Sequence, residues 1–448
     1  MTATTEKDSA HVDAHDSSPP SRVGQALRAR RALHAVRATS LGTRLVIVAA
    51  GLVVVSIVAR IADAPDLTSS GTAAAALRLA VPIGLAGLGG IYAERCGIVN
   101  IGLEGMMILG TWFGAWGAWR FGAWEGVALG ILGGAIGGLI HAVATVTFNV
   151  DHVISGVAIN ILGGGFARYL SVLAYDSASG GGPTQSPSVK SSVGTVTLPL
   201  LSGGSVAGRK SPDVLGWLER KDWFFVGDGA GVLKGLTAGV SWVAVIALLL
   251  IPLSTWVLWR TRFGLRLRAA GEAPAAADSL GVSVTRYRYY GVVISGAMAG
   301  LAGVFLSTVA ASIYREGQTA GRGYIGLATM IFGNWRPSGL AAGAGLFGLA
   351  DALQLRSDAS VRALLLLVAI GVGLLALRQW RKGALVRAGL SAALAIAFAV
   401  AYVTVDKVPS QLTYCTPYVV TLLVLASASQ RLRPPAKAGQ PYRKGQPG

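Results

Sequence analysis

The sequence predicts an all-α, polytopic membrane protein of about twelve transmembrane helices, one of them short and broken or re-entrant, with an inverted internal repeat. Three observations predict it. Apolar residues make up 52% of the 448-residue chain and charged residues 13%, and several apolar runs reach the roughly 18 residues that cross a bilayer as a helix. Those runs are rich in alanine and in glycine, 61 residues in all, which membrane helices use for close packing, and none shows the period-two polarity of a membrane β-barrel. Arginine and lysine fall in short loops and tails, so the formal charge of +18 reads as positive-inside bias and not as a nucleic-acid footprint.

Taken in order, residues 1–44 form a polar tail ending in Arg22, Arg28, Arg30, Arg31, Arg37 and Arg44, expected to be disordered and cytoplasmic. The run after it is followed by "ADA" at 62–64, as in a cleaved export signal, but the later spans make an uncleaved first span the simpler reading. With the amino end inside, spans are expected at about 45–61, 74–92, 101–119, 125–148, 152–175, 238–258, 289–311, 321–333, 339–355, 361–379, 384–405 and 411–429. This count puts Arg260 to Arg288, Arg336, "RQWRK" at 378–382 and the basic tail 431–448 inside, and Asp63, Asp66, Asp358 and Asp406 outside. A multi-pass protein of the cell inner or plasma membrane follows, with residues 45–430 as its membrane domain and both termini cytoplasmic. The run 321–333 is too short to cross about 30 Å of hydrocarbon, hence the broken or re-entrant segment.

One long loop, 176–236, lies outside in this count and holds "DVLGWLERKDWFF", a connector or else a docking surface or plug with Trp217, Trp223, Phe224 and Phe225 along the membrane. It also holds "LSGGS" at 201–205 and "GRKS" at 208–211. Neither is a nucleotide site, because a phosphate loop needs glycine directly before its lysine and a strand before the glycines. Cys96 and Cys415 form no metal cluster, and His141 and His152 read as packing or interface residues. No cofactor or metal is expected. Catalytic motifs are missing as well, so transport is the better destination than enzymatic chemistry.

An internal repeat marks the solute path: "AGLGGIY" at 86–92 matches "AGLAGVF" at 299–305, and "IGLEGMMILG" at 101–110 matches "IGLATMIFG" at 325–333. In the expected topology the paired elements run in opposite directions. Beside them stand Glu94, Arg95, Asn100 and Glu104 in one half and Arg315, Glu316, Gln318, Thr319 and Arg322 in the other. Ionisable groups at membrane depth cost several kcal/mol unless paired or hydrated. Asn100, Glu104, Asn160, Glu316, Arg322 and Asp351 are therefore taken as candidates for the path, Glu104 first among them; the bland alternative is a carboxylate satisfied by a neighbouring helix or by Arg95.

Between two apolar runs lies "LRLRAAGEAPAAADSLGVSVTRYRYYG", fenced by Arg266, Arg268, Arg286 and Arg288. Pro274 opens a short helix there, alanines propagate it, and Gly281 closes it in a left-handed cap. About 10 Å long, it lies along the surface and crosses nothing.

This segment, "ERCGIVNIGLEGMMILG" and "EGQTAGRGYIGLATMIFGNWRPSGLAAGAGLFGLADALQLR" together resemble the permease subunits of bacterial ABC importers for simple sugars and nucleosides, the nucleoside branch most of all. The resemblance implies a separate ABC ATPase, an extracytoplasmic substrate-binding lipoprotein, a second permease subunit (homologous or identical), and a nucleoside or related small polar solute. It implies that Gly271, Glu272, Pro274, Asp278 and Gly281 form the coupling segment, 260–288, on which the ATPase docks. Two departures stand out: Ala273 replaces the asparagine that commonly caps this helix, and residues 357–407 look like an inserted pair of spans. An ion-coupled secondary transporter is the alternative, since an inverted repeat suits it equally; a membrane scaffold would show no solute-dependent behaviour.

Overall fold

The structure, a computed structural model, describes residues 41–206, 209–356, 358–405 and 432–444. The chain divides into two units, 1–54 and 55–448. In the first, the described residues 41–54 are the leading part of helix α1 (Leu41–Ile61), so the last four residues of the expected tail are helical. Everything below concerns the second unit.

Helices α2 (Ser70–Arg95), α3 (Leu103–Arg120), α4 (Ala123–Ala142), α5 (His152–Tyr175) and α8 (Trp242–Arg260) are followed by α9 (Arg262–Glu272), α10 (Pro274–Ser279), α11 (Val284–Val304), α12 (Arg322–Phe332) and α13 (Pro337–Gln354). The hairpin α14 (Asp358–Arg381) and α15 (Leu385–Thr404) ends this series. Between α5 and α8 stand α6 (Val214–Lys221), α7 (Val226–Thr237) and four two-residue strands. Seven of the helical segments, Ser70–Arg95, Ala123–Thr147, His152–Tyr175, Trp242–Arg260, Val284–Ala310, Arg362–Arg381 and Leu385–Thr404, are long and apolar enough to cross a membrane. The fold is thus that of a mostly helical, multi-pass membrane protein. The span expected at 411–429 lies outside the described residues.

Local chemistry sets several starts. Ser69 accepts from Thr72 N, Asp151 from Val153 N and Ile154 N, Ser241 from Ala244 N, and Thr261 from Gly264 N, each satisfying donors that a first helical turn leaves free.

The centre is built from α2 and α11, which cross antiparallel: Gly89 faces Ser295 and Cys96 faces Gly291. Each central helix packs on two helices from the other half of the chain. Helix α11 lies along α3, with Gly110 on Gly300 and Gly114 on Val304, and antiparallel to α4, with Gly138 on Val292 and Gly134 on Gly296 and Gly300. Helix α2 lies along α12, with Gly87 on Gly326 and Gly90 on Met330, and antiparallel to α13, with Gly87 on Leu340 and Gly348 on Ala76. Small residues let these backbones nearly touch.

The long loop is a folded element rather than a loose connector. Its α7 rests on the start of α2 through Gly231 on Thr68 O and Gly235 on Ser70 O. Ser70 N donates to Glu219 Oε1 (2.9 Å) and the Thr68 hydroxyl to the Asp228 carboxylate. Lys234 Nζ, 2.9 Å from Asp213 Oδ2, holds that carboxyl below its ordinary range. Farther back, Ser186 N donates to Tyr314 O and Val189 N to Ser312 O, while Glu316 N donates to Thr184 O, so the loop lies on the chain leading into α12. Trp217, Trp223, Phe224 and Phe225 are all exposed.

Candidate translocation joint and coupling corner

Two helices begin inside the bundle rather than at its ends. The first of these two, the span expected from residue 101, starts as helix α3 only at Leu103, because 96–102 is a non-helical stretch between the end of α2 and α3. Both backbone groups of Val99 are held by histidines: its N–H donates to His152 Nδ1 (3.3 Å), and His141 Nε2 donates to its carbonyl (3.2 Å). Because that carbonyl can only accept, the His141 proton sits on Nε2, and Nδ1 of the neutral ring accepts from Ser155 Oγ (2.8 Å). Asn100, fully buried, accepts from Gly102 N and donates to Ser295 Oγ at 2.9 Å, tying the stretch to α11. Asn160 accepts from Gly105 N (2.7 Å) and donates to Ile101 O and to Tyr324 Oη.

The second is α12, eleven residues long, entered through Gly321 at φ +75°. Glu104 reaches it from α3, its Oε1 accepting from Gly321 N (2.9 Å) and its Oε2 from Gly323 N (2.7 Å). The buried carboxylate occupies the first turn of its own helix and caps the start of another, so two positive helix ends converge on one negative group. Arg95 is not its partner.

Of the other candidates, Arg322 is the first residue of α12, between the two glycines that Glu104 holds, and Glu316 and Asp351 lie farther from it along the chain. Glu316 pairs with Arg168 at 2.7 Å, both side chains well exposed. Arg322 Nη1 donates weakly to the Gln318 and Thr319 carbonyls, and its Nε has no hydrogen-bond partner. Asp351, half-buried on α13, lies within electrostatic reach of Arg322. Tyr324, half exposed beside Asn160, was not singled out from sequence; its only signal there was an aromatic at the start of a short apolar segment. A separate cavity of about 360 Å³ is lined by Arg78, Ser192, Ser241, Phe305, Thr308 and Ser312, and the joint residues are not among its lining.

At the carboxyl end of the 26-residue α2, where the 96–102 stretch also begins, sits the candidate coupling corner. Glu94 accepts from the Trp335 indole (2.5 Å), and Arg95 donates to the Trp335 carbonyl. Arg95 also lies over Trp259 and pairs with Glu272 at 3.5 Å. Helix α10 is opened by Pro274 and has no side-chain cap at Ala273; Gly281, at φ +79°, and Val282 N on Ala277 O close it. Gly271 is buried against the Arg95 carbonyl, where a methyl would come within 2.4 Å. Pro274 is buried too, and Asp278 half-buried. The corner presents Ala273, Ala276 and Ser279 outward, and Leu280 is 83% exposed. In the sequence, only its position just after this short helix signalled its exposure.

Helix α3 and the short α12 thus meet N-terminus to N-terminus at the buried Glu104 carboxylate, and Leu280 stands exposed just after the surface helix α10. The family model for the permease component of branched-chain amino acid transport systems matches residues 72–377, from the start of α2 into α14. The chain belongs to this permease family: it is a membrane-spanning transport subunit of the ABC type and not itself an enzyme. The guanosine ABC transporter permease protein NupQ of Bacillus subtilis is 35% identical over 289 residues, 63% of this chain and 81% of that protein. The nucleoside ABC transporter permease protein NupC of Lactococcus lactis is 34% identical over 279 residues, 61% of this chain and 78% of that one. A putative glucose ABC transporter permease protein of Haloferax volcanii, TsgC13, is 34% identical over 298 residues, 66% and 80% of the two chains. No solved structure matches.

Proposed function

We propose that this permease imports nucleosides, delivered by an extracytoplasmic binding lipoprotein and driven by a separate ABC ATPase docked on α10. The observation that carries the substrate class is the similarity to the guanosine and nucleoside permeases over about four-fifths of their length. The exposed Tyr324 ring beside the amide of Asn160 suits a base, which presents a π-face and hydrogen-bonding edges. In this reading Asn100, Glu104, Asn160 and Arg322 brace the path, Glu316 and Asp351 flank it, and the solute passes between two copies of the chain or between it and a homologue. The antiparallel crossing of α2 and α11, with α2 packed on α12 and α11 on α3, supports the inverted repeat. Eleven described helices fall near eleven of the twelve expected spans, which supports that count, and the placement of Arg and Lys supports cytoplasmic termini.

Reconstituted with its ATPase and binding protein, the complex is expected to hydrolyse ATP faster when a nucleoside, rather than a branched-chain amino acid or glucose, is supplied; equal or absent responses would remove the substrate assignment. Leu280→Asp is expected to weaken ATPase association at least about tenfold, roughly 1.4 kcal/mol, without loss of folded protein. Pull-down of the ATPase measures it. For orientation, single cysteines at the exposed Lys210 and Ser279, with Cys96 and Cys415 replaced, separate the alternatives. An impermeant thiol reagent applied from outside is expected to label position 210 and spare 279. Labelling at 279 would put α10 out of reach of any ATPase and favour the ion-coupled transporter.

A further inference from the structure

The C-terminal residues 432–444 contain no helix or strand, yet they are fastened along their length. Arg433 N donates to Asn334 Oδ1 (2.8 Å), Ala436 N to Glu272 Oε2 (3.1 Å), Lys437 N to Gly271 O (2.9 Å) and Gly439 N to Gly97 O (3.0 Å). The Gln440 carbonyl accepts from Arg288 Nη1 at 3.2 Å. Gly439 adopts φ +80°, which a side-chain-bearing residue takes only under strain. Leu432 packs on the cluster that includes Tyr92, Leu267 and Trp335, and Tyr442 on Ala270, Ala277 and Val284.

Arg288 is the strongest sign that this contact is built in. It is 2% exposed, its Nε and Nη2 have no hydrogen-bond partner among the described residues, and a buried guanidinium is costly without compensation. The compensation present is the Gln440 carbonyl and the Tyr442 ring, 5.6 Å from Cζ, both from this segment.

The segment touches two places that the sequence keeps far apart: the α9–α10 corner, at Gly271 and Glu272, and the turn at Gly97. Asn100 and Glu104 lie a few residues beyond that turn. Gly271 already packs directly on the Arg95 carbonyl and on Gly97; we propose that residues 432–444 are a positioning strap laid over this contact, which keeps the α10 corner and the Gly97 turn from separating so that displacement of α10 is delivered to the joint at Asn100 and Glu104. This rests on reading α10 as the ATPase-docking element. Glu272, shared between Arg95 and the strap, is a positioning residue of the same assembly.

The test compares the full chain with a chain stopped after Arg431 and with Tyr442→Ala, which removes the packing but keeps the backbone bonds. Two quantities are read: hydrogen exchange in 97–105 and 270–281, and the ratio of solute-stimulated to basal ATP hydrolysis in the reconstituted complex. Truncation is expected to raise exchange in both segments several-fold and to cut the ratio at least fivefold, while basal hydrolysis and ATPase association persist; Tyr442→Ala shifts both the same way, less far. Unchanged exchange in both segments would show that nothing is fastened. Raised exchange with an unchanged ratio would reduce the strap to a local clamp, and a ratio that rises on truncation would make it a brake. Each of these overturns the proposal. If the full chain itself shows no solute-stimulated hydrolysis, the importer reading fails, and the exchange data alone still decide whether the segment fastens the corner to the turn.

Discussion

Gly296→Ala is expected to remove most of the folded protein from the membrane, although alanine is the better helix former by about 1 kcal/mol. The added methyl would lie 2.3 Å from the Gly134 carbonyl oxygen and 2.8 Å from the Gly138 Cα and N. All three atoms are backbone, so no rotamer change relieves the overlap, and α4 must move away from α11. Because Gly300, four residues on, sits equally close to Gly130 and Gly134, the displacement would spread along the whole contact. Overpacking a close interface costs about 1–3 kcal/mol where side chains can give way, and more where only backbones meet. Gly371→Ala on α14 is the matched control, since among the described residues nothing stands within 4 Å of its missing methyl. Detergent-solubilised yield and thermal midpoint should fall sharply for the first variant and hold or rise for the second. Equal behaviour would mean that the α4–α11 contact is looser than its geometry.

The same glycines show what a sequence makes legible and what it does not. Apolar runs locate the long helices because each satisfies its own backbone and needs only length and composition to be seen. Their starts were less visible. Residues 101 and 102 look like the beginning of a span, but Asn100 and Asn160 hold Gly102 and the first turn of α3 in place, and the latter contact spans 55 residues of sequence. The loop 176–236 was ambiguous for the same reason: the bonds that fold it, Glu219 to Ser70 and Asp228 to Thr68, join residues about 150 or more apart, and α6 and α7 are too short to announce themselves by period. The basic tail read as a charged end because its ties, at Ala436, Lys437 and Gly439, are main-chain amides, which every residue but proline carries. Glu104 was conspicuous as a charge among apolar neighbours, while its partners, two glycine amides 217 and 219 residues away, leave no mark on the sequence.

Glu104 is therefore the residue where substitution should separate bracing from bulk. Glu104→Ala leaves the amides of Gly321 and Gly323 without acceptors in a buried place, at about 1–3 kcal/mol each, and takes a negative charge from the start of α12. Helix α12, eleven residues long and entered through a left-handed glycine, has little else to hold its first turn. Solute uptake is expected to fall at least tenfold, with hydrogen exchange rising in 319–325 and the rest of the bundle retained. Glu104→Gln keeps the shape and one acceptor but turns an amide N–H₂ toward the second backbone N–H, so two donors face each other. It is expected to assemble, to slow uptake by less than alanine does, and to raise exchange at one of the two glycines more than at the other. Glu104→Asp keeps the charge and shortens the reach by one methylene, so it should restore less than its chemistry would allow if the two bonds, 2.9 and 2.7 Å in the native chain, are what matters. The order glutamate, glutamine, alanine in both uptake and protection is the signature of a cap that positions the path. Wild-type uptake by the alanine variant would show that the joint carries no part of transport; lost uptake with native protection at 319–325 would instead make the carboxylate a direct contact of the solute.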